Sequence, residues 1–277
     1  MANKATALIL ASHPGPTVVV TVVATVLGIG LGYSPPRLAI LALAILLGQL
    51  SIGWSNDWLD AARDAAVQRS DKPAAQGAIG ASVVRAAAFV ALAAALLVTA
   101  VLGLLAVLAH FVAIAGGWAY NLGLKSTVVS FVPFAISFGL LPAIATLGQV
   151  EPAFPAPWVL AAGALLGVAA HVTNVLPDLA DDAATGIRGL PHRLGAVPSG
   201  LLAFGCLAAA TILITLGPGW PPQPLLIVGL VIGLAVAALG VVLLFRRSPT
   251  RLLMQLIMTC AIIDVAMLAL AGQSVVV

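Results

Sequence analysis

The stretch "LAILALAILLGQLSIGWSNDWLDAARD", residues 38–64, runs almost wholly apolar to Trp54 and then places Asn56, Asp57, Asp60, Arg63 and Asp64 close together. About 20 mostly apolar residues at the helical rise match the hydrocarbon thickness of a bilayer. The polar end therefore reads as the place where a membrane helix meets water. The fold follows from whether the rest of the chain repeats this pattern.

It does. Hydrophobic residues make up 62% of the 277 and charged residues 8%, with a mean hydropathy of +1.16, far from soluble usage. Cutting the chain where charge, proline or glycine clusters occur yields spans at residues 16–32, 37–55, 83–101, 103–122, 127–148, 157–176, 196–216, 224–245 and 251–272. The expected architecture is all-α: a polytopic bundle of nine transmembrane helices in one domain over residues 1–277. Helices 1–4 and 5–9 form pseudo-repeated halves. The third and fourth spans are nearly continuous, and their combined length requires a hairpin near Leu102 and Gly103.

Charge placement sets the orientation. With nine spans and the N-terminus inside, Lys4, Arg63, Arg69, Lys72, Arg85, Lys125, Arg188, Arg193, Arg246, Arg247 and Arg251 face the cytoplasm, and Arg37 alone faces out. Cytoplasmic loops collect Lys and Arg, so this split supports the span count. The expectation is a multi-pass protein of the cell (inner or plasma) membrane, with the N-terminus and Asp-rich loops cytoplasmic and the C-terminus outside. No basic block suits nucleic acid. Cys206 and Cys260 lie in apolar spans without ligand-like spacing and read as small buried hydrophobes. The glycines of "GIGLG" (Gly28, Gly30, Gly32) read as helix packing rather than a phosphate loop.

Acids are scarce, and seven of the nine fall in two of these cytoplasmic regions: Asp57, Asp60, Asp64 and Asp71, then Asp178, Asp181 and Asp182. The two regions echo each other. Asn56-xxx-Asp60-xxx-Asp64 recurs 118 residues later as Asn174-xxx-Asp178-xxx-Asp182. On an α-helix, positions four apart advance by about 40°, so each set forms a column on one face. Pro177 is placed to loosen the second helix. Two facing columns of oxygen acceptors would repel unless cations lay between them. Oxygen donors without thiolates or a His cluster suit Mg2+, which completes its shell with water and substrate phosphate. Solvated, capped loop turns are the bland alternative. Basic residues follow both columns, Arg69 and Lys72 after the first, Arg188 and Arg193 after the second, and "YNLGLK" adds Tyr120 and Lys125. Carboxylates for Mg2+ ringed by Arg and Lys are the composition of a diphosphate site.

At these residues the chain resembles the UbiA superfamily of intramembrane prenyltransferases. The resemblance rests on "NDWLDAARD" after helix 2, "NVLPDLADD" after helix 6 and "YNLGLK" after helix 4. It implies that Asn56, Asp60, Asp178 and Asp182 hold Mg2+ and the diphosphate of an allylic isoprenyl substrate. Asp60, Asp64, Asp178 and Asp182 would be the catalytic carboxylates, with Asp181 beside them. Arg69, Lys72, Tyr120, Lys125 and Arg188 would bind substrate. The tail "DLADDAATGIRGLPHRLG" is similar to the menaquinone-pathway branch, whereas "NDWLDAARDAAVQRSDKP" is similar to the branch of chlorophyll and archaeal-lipid enzymes, so the two disagree about the acceptor. Where members often carry Arg-Pro before helix 1, "ASHPGP" carries His13-Pro14, which places a pH-dependent group where a fixed cation is usual.

The implied reaction is Mg2+-dependent transfer of an isoprenyl group to an aromatic, quinoid or lipid acceptor among membrane lipids. Cyclisation of the isoprenoid at the same metal site is the alternative. A transporter is a more distant reading, because transporter sites lie near the bilayer midplane. Trp54, Trp58 and Trp118 are read either as faces for the allylic cation or as interfacial belt residues. His171 is read as a buried histidine bonded to a neighbouring helix, or as a contact to the acceptor. His110 is read as packing and His192 as a loop residue.

Overall fold

The computed structural model describes residues 3–67, 72–179, 182, 186–246 and 251–277; of Asp178 and Arg251 it describes the backbone alone. Arg69, Asp71, Asp181 and Arg247 lie outside the described residues. In chain order the helices are α1 (Lys4–Ala11), α2 (Pro14–Gly30), α3 (Pro35–Ala66), α4 (Ala81–Ala100), α5 (Leu104–Leu122), α6 (Val132–Gly139), α7 (Leu141–Leu147) and α8 (Pro157–Val175). They continue as α9 (Leu190–Leu194), α10 (Ala196–Leu216), α11 (Pro224–Arg246) and α12 (Arg251–Ala271). Short 3₁₀ turns at Leu124–Ser126, Leu176–Asp178 and Gly272–Val275 complete the list.

Among the described residues, seven helices are long and apolar enough to cross a membrane, or eight if the bent pair α1 and α2 counts as one span. The chain is a multi-pass membrane protein. The pair bends by 61° at His13, which sits in the left-handed region at φ 54°. The following Pro14 disfavours helical backbone at His13, so the ladder restarts there. The expected span over residues 127–148 is two short helices instead. Pro142 has no N–H to extend the ladder from α6, and Pro133 occupies the first turn of α6, leaving residues 127–131 outside it. The hairpin expected at Leu102 and Gly103 is present between α4 and α5.

The expected span 37–55 becomes a helix of 32 residues that continues through the first Asp-rich segment to Ala66. It packs against α2, α4 and α5, while α8 packs against α6 and α10. Of the "GIGLG" glycines, Gly28 packs on Leu38 and Leu41 of α3 and Gly30 on the backbone of Ala269 in α12, as expected, whereas Gly32 takes φ 74° in a turn with open space around it. Outward faces stay apolar, as with Leu225, Val228, Val231 and Ile232 of α11, as lipid contact requires. Cys206 and Cys260 are buried free thiols.

One end of the bundle is tied by Arg37. Its guanidinium donates to the carbonyls of Leu102, Gly148 and Gln149 at 2.8–3.1 Å, satisfying helix-end and turn carbonyls. The charged segments of α3 gather at the opposite end of that helix.

Candidate active site

Because α3 stays α-helical past Trp54, Asn56, Asp60 and Asp64 share one face, and Asp60 and Asp64 are 6% and 5% exposed. A buried carboxylate needs cations and donors. Lys125, itself buried on the 3₁₀ turn after α5, reaches both oxygens of Asp60 at 2.5 Å. Arg63, one turn along α3, binds Asp60 at 2.8 Å and lies 3.6 Å from Asp64. Asn56 donates to Asp60 at 3.1 Å. Burial holds the Lys125 ammonium below the ordinary lysine pKa, while the Asp60 charge pulls it back up.

Asn56 is itself held from two sides. Its amide donates to Asn121 at 3.2 Å, and Asn121 in turn donates to the Ser55 hydroxyl and the Ile52 carbonyl. Its oxygen accepts from Lys72 Nζ at 3.2 Å. Lys72 also meets His13 Nε2 at 2.9 Å and lies 3.9 Å from the buried carboxylate of Asp57, which accepts from the Ala74 amide. His13 thus stands beside a site cation rather than in place of one. The α1 hinge is pressed against α3: Trp54 donates to the Leu8 carbonyl, and a side chain at Gly53 would strike the Ser12 carbonyl.

The second segment is built differently. Helix α8 ends at Val175, and Leu176–Asp178 is a 3₁₀ turn with Pro177 in it. Asn174 is exposed and Asp182 half-buried. The Asp182 carbonyl accepts from the Ile187 amide, and its carboxylate lies 3.6 Å from His192 Nε2, longer than a hydrogen bond. Burial holds the His192 imidazole below the ordinary histidine pKa against the pull of Asp182.

Tyr120 joins the halves. Its hydroxyl lies within electrostatic range of Asp182, Asp60 and Arg63, and its ring stands edge-on to Phe134 and His171 at centroid distances of 5.1 and 5.7 Å. The Ser130 hydroxyl bonds His171 Nε2 at 3.0 Å and accepts from the Leu190 amide at 2.9 Å. A side chain at Gly189 would strike the Lys125 carbonyl, so the chain at Gly189 lies directly on the loop carrying Lys125.

The structure therefore brings Asn56, Asp60, Asp64, Lys72 and Lys125 into one connected network and sets Tyr120 and Asp182 beside it. Arg188 is exposed, and its carbonyl accepts from Arg193. Residues that sequence reasoning did not select are Arg63, Asn121, Asp57, Ser130 and His13 as partners in the network. Arg63 and Asn121 carried a signal, one three residues after Asp60 and the other inside "YNLGLK"; Ser130 carried none. The tryptophans pack sideways: Trp58, Phe89 and Trp118 cluster, and the face of Trp58 already carries Arg85 at 5.8 Å. His110 is a packing residue bonded to Thr99.

The donor set fits Mg2+. Asn56, Asp60, Asp64 and Asp182 offer hard oxygens. Among the described residues no three His, Cys, Asp or Glu side chains form a cage.

The model of the UbiA prenyltransferase family matches residues 17–263. Among solved structures, a UbiA homolog from Archaeoglobus fulgidus bound to GPP and Mg2+ aligns with a TM-score of 0.73 at 15% identity, covering 96% of this chain and 99% of that one. An apo UbiA homolog from Aeropyrum pernix K1 aligns at 0.69 and 14% identity, covering 99% and 98%. A digeranylgeranylglyceryl phosphate synthase aligns at 0.71 and 12% identity, covering 98% and 99%. No curated protein matches the sequence. At these identities the structural likeness shows the fold.

Proposed function

This chain belongs to the UbiA prenyltransferase family, and from that premise we propose that it transfers an isoprenyl group from an allylic diphosphate to an aromatic, quinoid or lipid acceptor, with Mg2+ as cofactor. The observation that carries the reading is the buried network of Asn56, Asp60, Lys125, Arg63 and Lys72, set beside Tyr120 and Asp182. The A. fulgidus homolog bound to GPP and Mg2+ supports the choice of substrate and ion.

Asn56, Asp60, Asp178 and Asp182 would hold Mg2+, with Asp64 beside them and Arg69 and Arg188 as further anion contacts. When bound, Mg2+ supplies positive charge that stabilises the departing diphosphate. The residues of the chain do the rest. Lys125, Arg63 and Lys72 present three preorganised cations to a dianionic or trianionic group, at one end of the bundle and partly shielded from water. As the allylic carbon–oxygen bond breaks, its electron pair leaves with the diphosphate. The acceptor then bonds to the allylic carbon and releases a proton. Tyr120 and the Phe134 ring packed on it are aromatic faces for the allylic fragment, while the face of Trp58 is engaged by Arg85. The surrounding apolar helices keep water from the cation.

The topology belongs to the same reading: nine crossings in a single domain of two pseudo-repeated halves, with α1, the Asp-rich segments and the Lys125 turn on the cytoplasmic side of a cell membrane. The test is to incubate the purified protein with Mg2+ and allylic diphosphates of several lengths, with and without aromatic, quinoid and lipid acceptors, and to identify products by mass. Prenylated acceptor, lost on chelation with EDTA, is expected. Diphosphate release with an isoprenoid product and no acceptor would instead identify a cyclase.

A further inference from the structure

Beside the network lies a second polar group that the diphosphate reading leaves unused. His171 is 1% exposed at the end of α8, and the side chain of His192 on α9 is 5% exposed. Among the described residues, three of their four ring nitrogens, His171 Nδ1 and both of His192, are buried without a hydrogen-bond partner. Ser130 links the two stretches, bonding His171 Nε2 and the amide of Leu190, two residues before His192. Native structures rarely bury bare polar atoms unless water or a ligand completes them.

Counting hydrogens assigns the direction of the missing bond. The Ser130 oxygen accepts from the Leu190 amide, and among the described contacts its one hydrogen has His171 Nε2 as acceptor. A neutral His171 then carries its proton on Nδ1, as an N–H donor facing an absent acceptor. The opposite tautomer would leave the Ser130 hydrogen unused as well as Nδ1. The group is adjacent to the chemistry: the Tyr120 ring packs on His171, the Tyr120 hydroxyl senses Asp60 and Asp182, and Asp182 lies 3.6 Å from His192.

We propose that His171 and His192 form the oxygen-recognition element of the acceptor subsite, with His171 donating its Nδ1–H to a hydroxyl or carbonyl oxygen of the acceptor. The proposal rests on the transfer reading above. It restricts the acceptor to molecules with an oxygen at the reacting end, aromatic or lipid alike. In the resting protein a water would supply the same oxygen.

The test uses the full chain in nanodiscs with 15N-labelled histidine. NMR is expected to show His171 protonated on Nδ1, with its signals moving in Ser130→Ala. Adding 2-naphthol or 1-octanol should move the His171 signals, and naphthalene or octane should not. Protonation on Nε2, or equal response to the hydrocarbons, or response to none of the four, would overturn the proposal; the last result leaves water as the sole partner. In turnover assays, His171→Phe keeps the ring packing and should lower the preference for an oxygenated acceptor over its hydrocarbon analogue by about tenfold, the weight of one hydrogen bond. The KM for the allylic diphosphate should not change. A parallel rise in both KM values would mark a structural role only and overturn the proposal, and Ser130→Ala supplies the same comparison if His171→Phe fails to fold. Absence of prenylated product with every acceptor would defeat the transfer reading, and the NMR arms would still decide whether an oxygen is recognised.

Discussion

The two Asp-rich segments share the spacing Asn-xxx-Asp-xxx-Asp and take different shapes. The first rides an unbroken helix, so its carboxylates stay in a column, are buried, and draw Lys125 and Arg63 onto Asp60. The second crosses Pro177, leaves the α-helix at Val175, exposes Asn174 and keeps Asp182 half-buried. Equal spacing is therefore not equal environment. One segment forms a charge-balanced wall on a continuous helix, and the other a strap that leaves the helix at a 3₁₀ turn.

The sharpest way to break this contrast is Asp60→Asn. It removes the carboxylate that balances Lys125, so activity should fall at least about a hundredfold, as for loss of a charge-stabilising group. Stability should drop by roughly 3 kcal/mol, the cost of stranding a buried charge. Asp60→Asn combined with Lys125→Met should recover the stability in a thermal melt but not the turnover. Recovery of both would show that the pair is structural only.

Asp182→Asn should lower kcat/KM by roughly tenfold to a hundredfold and leave the melting temperature nearly unchanged, because this carboxylate is only half-buried and lies 3.6 Å from His192. A melting shift as large as that of Asp60→Asn would erase the distinction between wall and strap. Pro177→Ala should let α8 extend by a turn and carry Asp182 away from His192. A loss of about threefold to tenfold in kcat/KM is expected, with equal or greater stability. The smallest effects separate the two asparagines. In melts without Mg2+, Asn56→Ala should cost about 1 kcal/mol for its bonds to Asn121, Asp60 and Lys72. Exposed Asn174→Ala should stay within about 0.5 kcal/mol.

Much of this was legible in the chain itself. Hydropathy marked the long helices closely: the span expected at residues 196–216 is α10, Ala196–Leu216, and the hairpin at Gly103 falls where combined length required it. The span expected at 127–148 is broken into α6 and α7, because backbone hydrogen bonding obeys Pro133 and Pro142 where apolar content alone suggested one helix. Within the site, Asn56, Asp60 and Lys125 were selected from motif and resemblance. Arg63 was assigned only to the orientation rule, although three residues after Asp60 on a helix it was in reach. Trp58 was read either as a face for the allylic cation or as an interfacial belt residue, and its ring carries Arg85 from α4.

What the sequence by itself determined is local: bilayer-length apolar runs, two columns of acids set by helical periodicity, and the proline that interrupts the second. These depend on residues a few positions apart. The tertiary structure alone decided that Lys125 closes on Asp60 across 65 positions, that Ser130 orients His171, and that Gly189 lets its chain rest on the Lys125 loop. Such contacts depend on which helices pack side by side and at what depth. Close packing of whole faces settles that, and no spacing within a single segment encodes it.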